Sequence, residues 1–142
     1  MLVQIHSGQV PKFWEIIKFS ALNSDNILEE YRQVYCYNLL QDLLSGKKYC
    51  FIGKKDGNVT FVIILSFKVY NDSGMKYLYF NNIYSFFEQD DNAWQEVFID
   101  MGKIAKEAEC KAIIGDSSNE KVHSICMDVG ATCSSHKYEY YL

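Results

Sequence analysis

Apolar positions along this chain follow two periods, one near 3.6 residues and one of 2, and their order predicts the elements. Leu2, Val3 and Ile5 suggest a short first strand, ended by Ser7-Gly8. Pro11 fits the first turn of a helix, where its missing N–H costs nothing. Phe13, Trp14, Ile16, Ile17 and Leu22 then keep helical spacing until Asn23-Ser24-Asp25-Asn26 interrupts it. From Ile27 to Leu44 apolar residues recur at intervals of three and four, which predicts a second helix closed by Gly46. The period then shortens. Tyr49 to Ile52, Val59 to Tyr70 and Met75 to Tyr84 are rich in β-branched and aromatic residues. Asp56-Gly57 and Asn71-Asp72-Ser73-Gly74 lie between them as turn signals, so the three runs predict an antiparallel meander. The run from Val59 is long enough to hold a bulge or bend.

An acidic loop, Phe87-Glu88-Gln89-Asp90-Asp91-Asn92, separates the meander from an amphipathic helix over about Ala93 to Glu109. Trp94, Val97, Phe98, Met101, Ile104, Ala105 and Ala108 share one face of that helix, which is the pattern of a core face. Lys111 to Ile114 reads as a short buried strand beside the third meander strand and parallel to it. Ser118 to Val129 reads as a capped helix with Gly130 after it. Lys137-Tyr138-Glu139-Tyr140-Tyr141-Leu142 alternates and predicts a final strand. The order implies an α/β (α+β) fold in one domain spanning 1–142. Its mixed sheet holds an antiparallel meander followed by β-α-β-α-β, with helices on both faces.

Composition narrows the chemistry. Hydrophobic residues make up 49% of the chain, enough for a real core. The net charge is −4 and no basic run occurs, which argues against nucleic-acid binding through the phosphate backbone. Five Cys at irregular spacing, without a CxxC, predict reduced thiols and neither a disulfide framework nor a zinc site. His6, His123 and His136 stand too far apart for a metal-ligand motif, so no metal is expected. No run approaches transmembrane length and the N-terminus lacks signal-peptide features. These features predict a cytoplasmic location and no membrane partner.

The element order resembles that of the GCN5-related N-acetyltransferase (GNAT) superfamily over nearly the whole length. At its end the chain carries Asn119, Val122, Ile125-Cys126 and Gly130-Ala131. Many members of the family have Asn, a small apolar residue, Leu-Tyr and Gly-Phe at those offsets. Asn, the apolar positions and Gly agree, whereas Cys126 stands at the family's Tyr acid position and Ala131 at its Phe. The resemblance implies strands splayed apart to admit a pantetheine arm and a glycine-rich pyrophosphate cradle of the form Gln/Arg-x-x-Gly-x-Gly/Ala. The nearest alignment here is Gln89-Asp90-Asp91-Asn92-Ala93-Trp94, with Asn92 and Trp94 where the glycines belong. Glycine permits a close approach of backbone N–H groups to phosphate. Glu88, Asp90 and Asp91 add like charge, and one such pair near 4 Å is worth about 4 kcal/mol at an effective dielectric of about 20. Trp94 lies on the apolar stripe and is expected to turn inward, leaving Asn92 as the obstruction.

Acid–base help is equally indistinct. Cys126 could donate a proton to a leaving thiolate, although a Cys on an apolar helix face is usually core, and Cys126 is expected to be largely buried. Glu88, or a water bound by Asn81 or Asn82, is a candidate base. The sequence thus predicts a catalytically degenerate acetyltransferase-fold protein with no cofactor, acting as a structural or protein-binding module. It resembles small phage-encoded virion proteins, which implies virion or assembly proteins as partners and a virion location if phage-encoded. Its single Pro and many Asn, Lys, Tyr and Ile suit an AT-rich phage genome. The alternative is an active acetyl-CoA-dependent N-acetyltransferase, in which Gln89, Asn92, Ala93 and Asn119 would bind cofactor.

Overall fold

The two faces of one sheet carry separate apolar clusters, and the alternation of side chains along the strands sorts residues between them. The computed structural model describes residues 2–142. Its elements are β1 (Val3–Ile5), α1 (Val10–Ser24), α2 (Arg32–Ser45), β2 (Tyr49–Lys55), β3 (Asn58–Val69), β4 (Lys76–Ser85), α3 (Asp91–Glu107), β5 (Ala112–Gly115) and α4 (Glu120–Asp128). The sheet order is β1-β2-β3-β4-β5, antiparallel throughout except for the parallel β4–β5 pair. Ile113 pairs with Leu78, as the crossover pattern predicts, but Ala112–Gly115 are half-buried and not buried as expected, because β5 is the edge strand of the sheet.

Cys50, Ile52, Val62 and Ile64 point to α1 and α2 and are buried with Ile17, Ala21, Leu39 and Leu43. Phe51, Phe61, Ile63, Leu65 and Leu78 point to the other face and are buried with Trp94, Val97, Met101 and Ala105 of α3. A strand buried on both faces has no polar side to show, which is why β2 and β3 read as nearly continuous apolar runs. The β2–β3 turn uses Asp56 and Gly57 at φ 53° and 79°. Two successive positive φ angles give a turn whose twist matches the strands it joins.

Two predicted elements are corrected. The second helix begins at Arg32, after a 3₁₀ turn over Glu29–Tyr31, so Ile27 and Leu28 precede it. Tyr31 and Val34, although on the predicted apolar stripe, are exposed. The expected strand at Lys137–Leu142 is absent, because residues 129–142 have no regular structure. Helix α4 closes on Gly130 at φ 91°, with Ala131 N–H bonded to Cys126 O at 2.9 Å. That left-handed stop turns the chain away, and alternation without a strand partner cannot hold an extended conformation.

Among the described residues no helix is long and apolar enough to cross a membrane.

Candidate functional site

The site is built around a bulge. β3 and β4 pair Ile64 with Asn82 and Leu65 with Phe80, so Asn81 is the extra residue on β4. A bulge reverses the parity of every side chain after it. Leu78 and Phe80 therefore face α3, and Ile83 packs on the same cluster, while Asn82 turns to α1 and α2. Asn81 itself accepts from the buried Ser66 hydroxyl at 2.8 Å.

β5 stops pairing at the same level. Its last partner is Phe80↔Gly115, and Asn81–Ser85 run on without it. The two strands thus part into a wedge. A Cβ on Gly115 would lie 2.1 Å from the Phe80 ring, so only glycine lets that ring lie across β5. Phe80, Gly115 and Asp116 line a groove of about 1010 Å³, whereas the cavity that Phe80 and Asp116 share with Asp25, Asn82 and Val122 is about 10 Å³. That is room for no more than one water.

Two phenols bonded to carboxylates stand by the wedge. Tyr35 donates to Asp25 at 2.9 Å, and Asn82 donates to Asp25 at 2.9 Å and to Ser24 at 3.0 Å. Tyr79 donates to Asp116 at 2.9 Å, with the Lys68 ammonium 3.9 Å above its ring. Burial first, and then Asp116, push the Tyr79 hydroxyl up to about 12. Burial followed by the charge of Asp25 raises Tyr35 as well. Both phenols stay protonated at neutral pH and can donate but not accept a proton. Sequence reading reached this group only through Asn82, named there as a residue that could bind a basic water. Asp25 stood in the segment that interrupts the first helix, and Tyr35 and Tyr79 lay in runs read as helix and strand. Only the bulge at Asn81 brings Asn82 to Asp25.

The residues named from the cradle alignment fall around the start of α3. Asp90 is the N-cap, and its carboxylate accepts from Ala93 N–H at 2.7 Å. Asn92 is exposed in the first turn, and Trp94 is buried against Phe61, as expected, at a centroid distance of 5.6 Å. The side-chain nitrogens of Gln89 and Trp94 are enclosed without a hydrogen-bond partner among the described residues. Glu88 forms an exposed 3.7 Å ion pair with Lys121, a contact worth little in water. Asn119 caps α4, accepting from Lys121 N–H at 2.8 Å and Val122 N–H at 3.4 Å. Gln89, Asn92 and Ala93 are thus neighbours in one loop and helix start, while Asn119 caps a different helix. No group of three His, Cys, Asp or Glu among the described residues could hold a metal.

Cys126 is half-buried, not largely buried as expected, because one side of α4 borders an open groove. Burial raises its thiol. All five Cys are free, and burial pushes Cys50 up to about 12. Thiolate, not thiol, reacts with alkylating reagents. Iodoacetamide on the native protein should therefore modify exposed Cys133 first, with Cys50 and Cys110 protected until unfolding. All five should react after denaturation without reductant. Peptide mass spectrometry reads the order, and early labelling of Cys50 would contradict the packing of α1 and α2 on the sheet.

The topology, bulge and wedge together define a GNAT fold, an α/β arrangement with a five-stranded mixed sheet between two pairs of helices. Solved structures of that fold superimpose over the whole chain. A ribosomal-protein-alanine N-acetyltransferase from Brucella melitensis biovar Abortus 2308 is 15% identical at a TM-score of 0.70, covering 100% of this chain and 99% of that one. A predicted acetyltransferase from Clostridium acetobutylicum, solved with acetyl-CoA, is 13% identical at 0.71, covering 99% and 95%. A GNAT family acetyltransferase from Staphylococcus aureus is 12% identical at 0.69, covering 100% and 98%. Identities this low establish the fold alone. No family model matches the chain, and no curated protein does.

Proposed function

We propose that this chain is a catalytically degenerate acetyltransferase-fold protein that works as a structural or protein-binding module. The observation that carries this reading is the Asp90 cap. A diphosphate needs free N–H groups at the start of α3, and glycine to approach them. Here the chain's own carboxylate takes the Ala93 N–H, with Asp91 beside it in the first turn. The residues present do not fit acetyl-CoA. The phosphate end meets two acids, and the cavity between Asn82 and Asp116, where β4 and β5 part, holds about 10 Å³. The partner class is protein, and virion or assembly proteins are the ones the sequence resemblance implies.

A second reading, an active acetyl-CoA-dependent N-acetyltransferase, has one observation in its favour. β4 and β5 do separate beyond Phe80 and Gly115, in the fold shared with the acetyltransferases above. Calorimetric titration with acetyl-CoA separates the two. The wild type should show no binding, that is, a Kd weaker than about 1 mM (about −4 kcal/mol). A Kd near 1 μM (about −8 kcal/mol) would establish the enzyme reading instead. The variant D90G/D91G/N92G frees the N–H and removes both acids, so it should gain affinity. Its thermal melt must be read alongside, since a lost N-cap costs about 0.5–2 kcal/mol.

A further inference from the structure

β5 is an edge strand, and its outer side is open. Among the described residues no backbone hydrogen bond runs from Ala112–Gly115 to any element but β4. A groove of about 1010 Å³ lies against this edge, with Ile113 on its floor and Phe98, Ile99 and Val129 on its wall. The chain after α4 passes along the groove, because Ala131 to Ser135 line it. It then projects into water. Tyr138 and Tyr140 are each 90% exposed, and Tyr141 and Leu142 are exposed as well. One molecule thus carries an unpaired edge beside a groove of mixed polar and apolar lining and, separately, an alternating segment that no strand pairs. An open edge is a template for strand addition.

We propose that residues 137–142 of a second copy add to β5 as an antiparallel strand, reciprocally, making this edge the interface of a two-fold dimer. The residues fix a register. With Lys137 opposite Asp116, Tyr138 falls opposite Gly115 and Tyr140 opposite Ile113. Both Tyr then share the face of β5 that carries Ile113, toward Phe98 and Val129. Tyr138 meets the ring of Phe80, which already lies over Gly115. Glu139 falls on the other face, where Lys68 lies over the Tyr79 ring. Lys137 and Glu139, which pair with each other in the single copy, each gain a partner of opposite charge. A slip of one residue would send Glu139 into the apolar face, so the pattern tolerates no neighbouring register.

The occupant is a second copy and not the same chain. Folding back in cis would require a tight reversal through Ser134-Ser135-His136, between a strand at the edge and the stretch already lining the groove. That segment has no Gly, Asn, Asp or Pro to supply the positive φ of a tight hairpin. A hinge that cannot close tightly favours exchange between copies. The area suffices. Each tail brings three Tyr, and a buried aromatic covers about 150–250 Å². Two tails therefore cover about 900–1,500 Å², a range around the roughly 1,000 Å² expected of a specific interface. This inference stands on the open edge alone and does not depend on whether the start of α3 binds cofactor.

Sedimentation equilibrium on the full chain should give twice the monomer mass at about 100 μM, a concentration usual for weak homodimers. A chain ending at His136 should be monomeric, and it should fold, because residues 137–142 belong to neither buried cluster. The full-length variant Tyr140→Asp should weaken association by about 30-fold or more, the size of a buried aromatic hot spot. Hydrogen exchange supplies the second readout: amides of Ala112–Gly115 should be protected in the wild type and lose protection in the shortened chain. A monomeric wild type would overturn the proposal. So would a shortened chain that still dimerises. Protection of β5 in a monomer that depends on residues 137–142 would mean closure in cis and would overturn it too.

Discussion

Leu78→Ala should destabilise the fold by about 2–5 kcal/mol, the usual range for a fully buried leucine. Leu78 is 0% exposed and lies on β4 between Phe67 on β3 and Ile113 on β5. It shares its buried cluster with Trp94, Val97 and Met101 of α3. Shortening it removes one methine and two methyl groups and leaves a cavity whose walls are two strands held in register on either side. Such walls relax little, which places the cost in the upper part of the range. Urea denaturation followed by tryptophan fluorescence gives the number, since Trp94 sits in the same cluster. The midpoint should fall with an unchanged slope, which marks a change in stability and not in the unfolded state. Val69→Ala on the neighbouring strand is the control. Val69 is exposed, and its loss should stay within about 0.5 kcal/mol. Equal costs at the two positions would mean that β4 is not the centre of this core.

Asn82→Ala should cost about 1–3 kcal/mol, through charge and not through volume. The Asn82 amide is buried and its two hydrogens serve Ser24, Asp25 and Tyr35. Asp25 is the acceptor at stake. Without Asn82 its carboxylate keeps Tyr35 but loses a charge-assisted bond in a place water reaches poorly. Because the bond joins the end of α1 to the bulged strand, hydrogen exchange over residues 25–31 should accelerate more than exchange in β2. A double-mutant cycle with Tyr35→Phe tests the network directly. Both residues serve one carboxylate, so a coupling of about 0.5–3 kcal/mol is expected. Additive losses would show that the two bonds act independently and that Asp25 is not their common anchor.

The Asp25 side of the wedge was illegible in the sequence for a specific reason. Asn81 and Asn82 are adjacent, and strand alternation alone does not say which one faces α1. The β3–β4 register has to slip by one residue before Asn82 reaches Asp25, and the slip depends on pairing between distant segments. The reading of Cys126 erred by a related route. Helical spacing places it on the inner face of α4, but its exposure depends on whether anything fills the space beyond β5. The expected final strand failed for the same reason, since its alternation has no partner within the described chain.

Periodicity by itself determined the element order as far as α4, the meander, the parallel β4–β5 pair and the inward turn of Trp94. Each depends on contacts between near neighbours or on how apolar residues repeat along one element, and that information is local. The absence of glycine at the start of α3 was legible too. Tertiary structure alone decided that Phe80 lies across Gly115 and that the edge of β5 stays open. Both outcomes depend on where distant segments meet, and a one-residue change of register alters all the side chains beyond it.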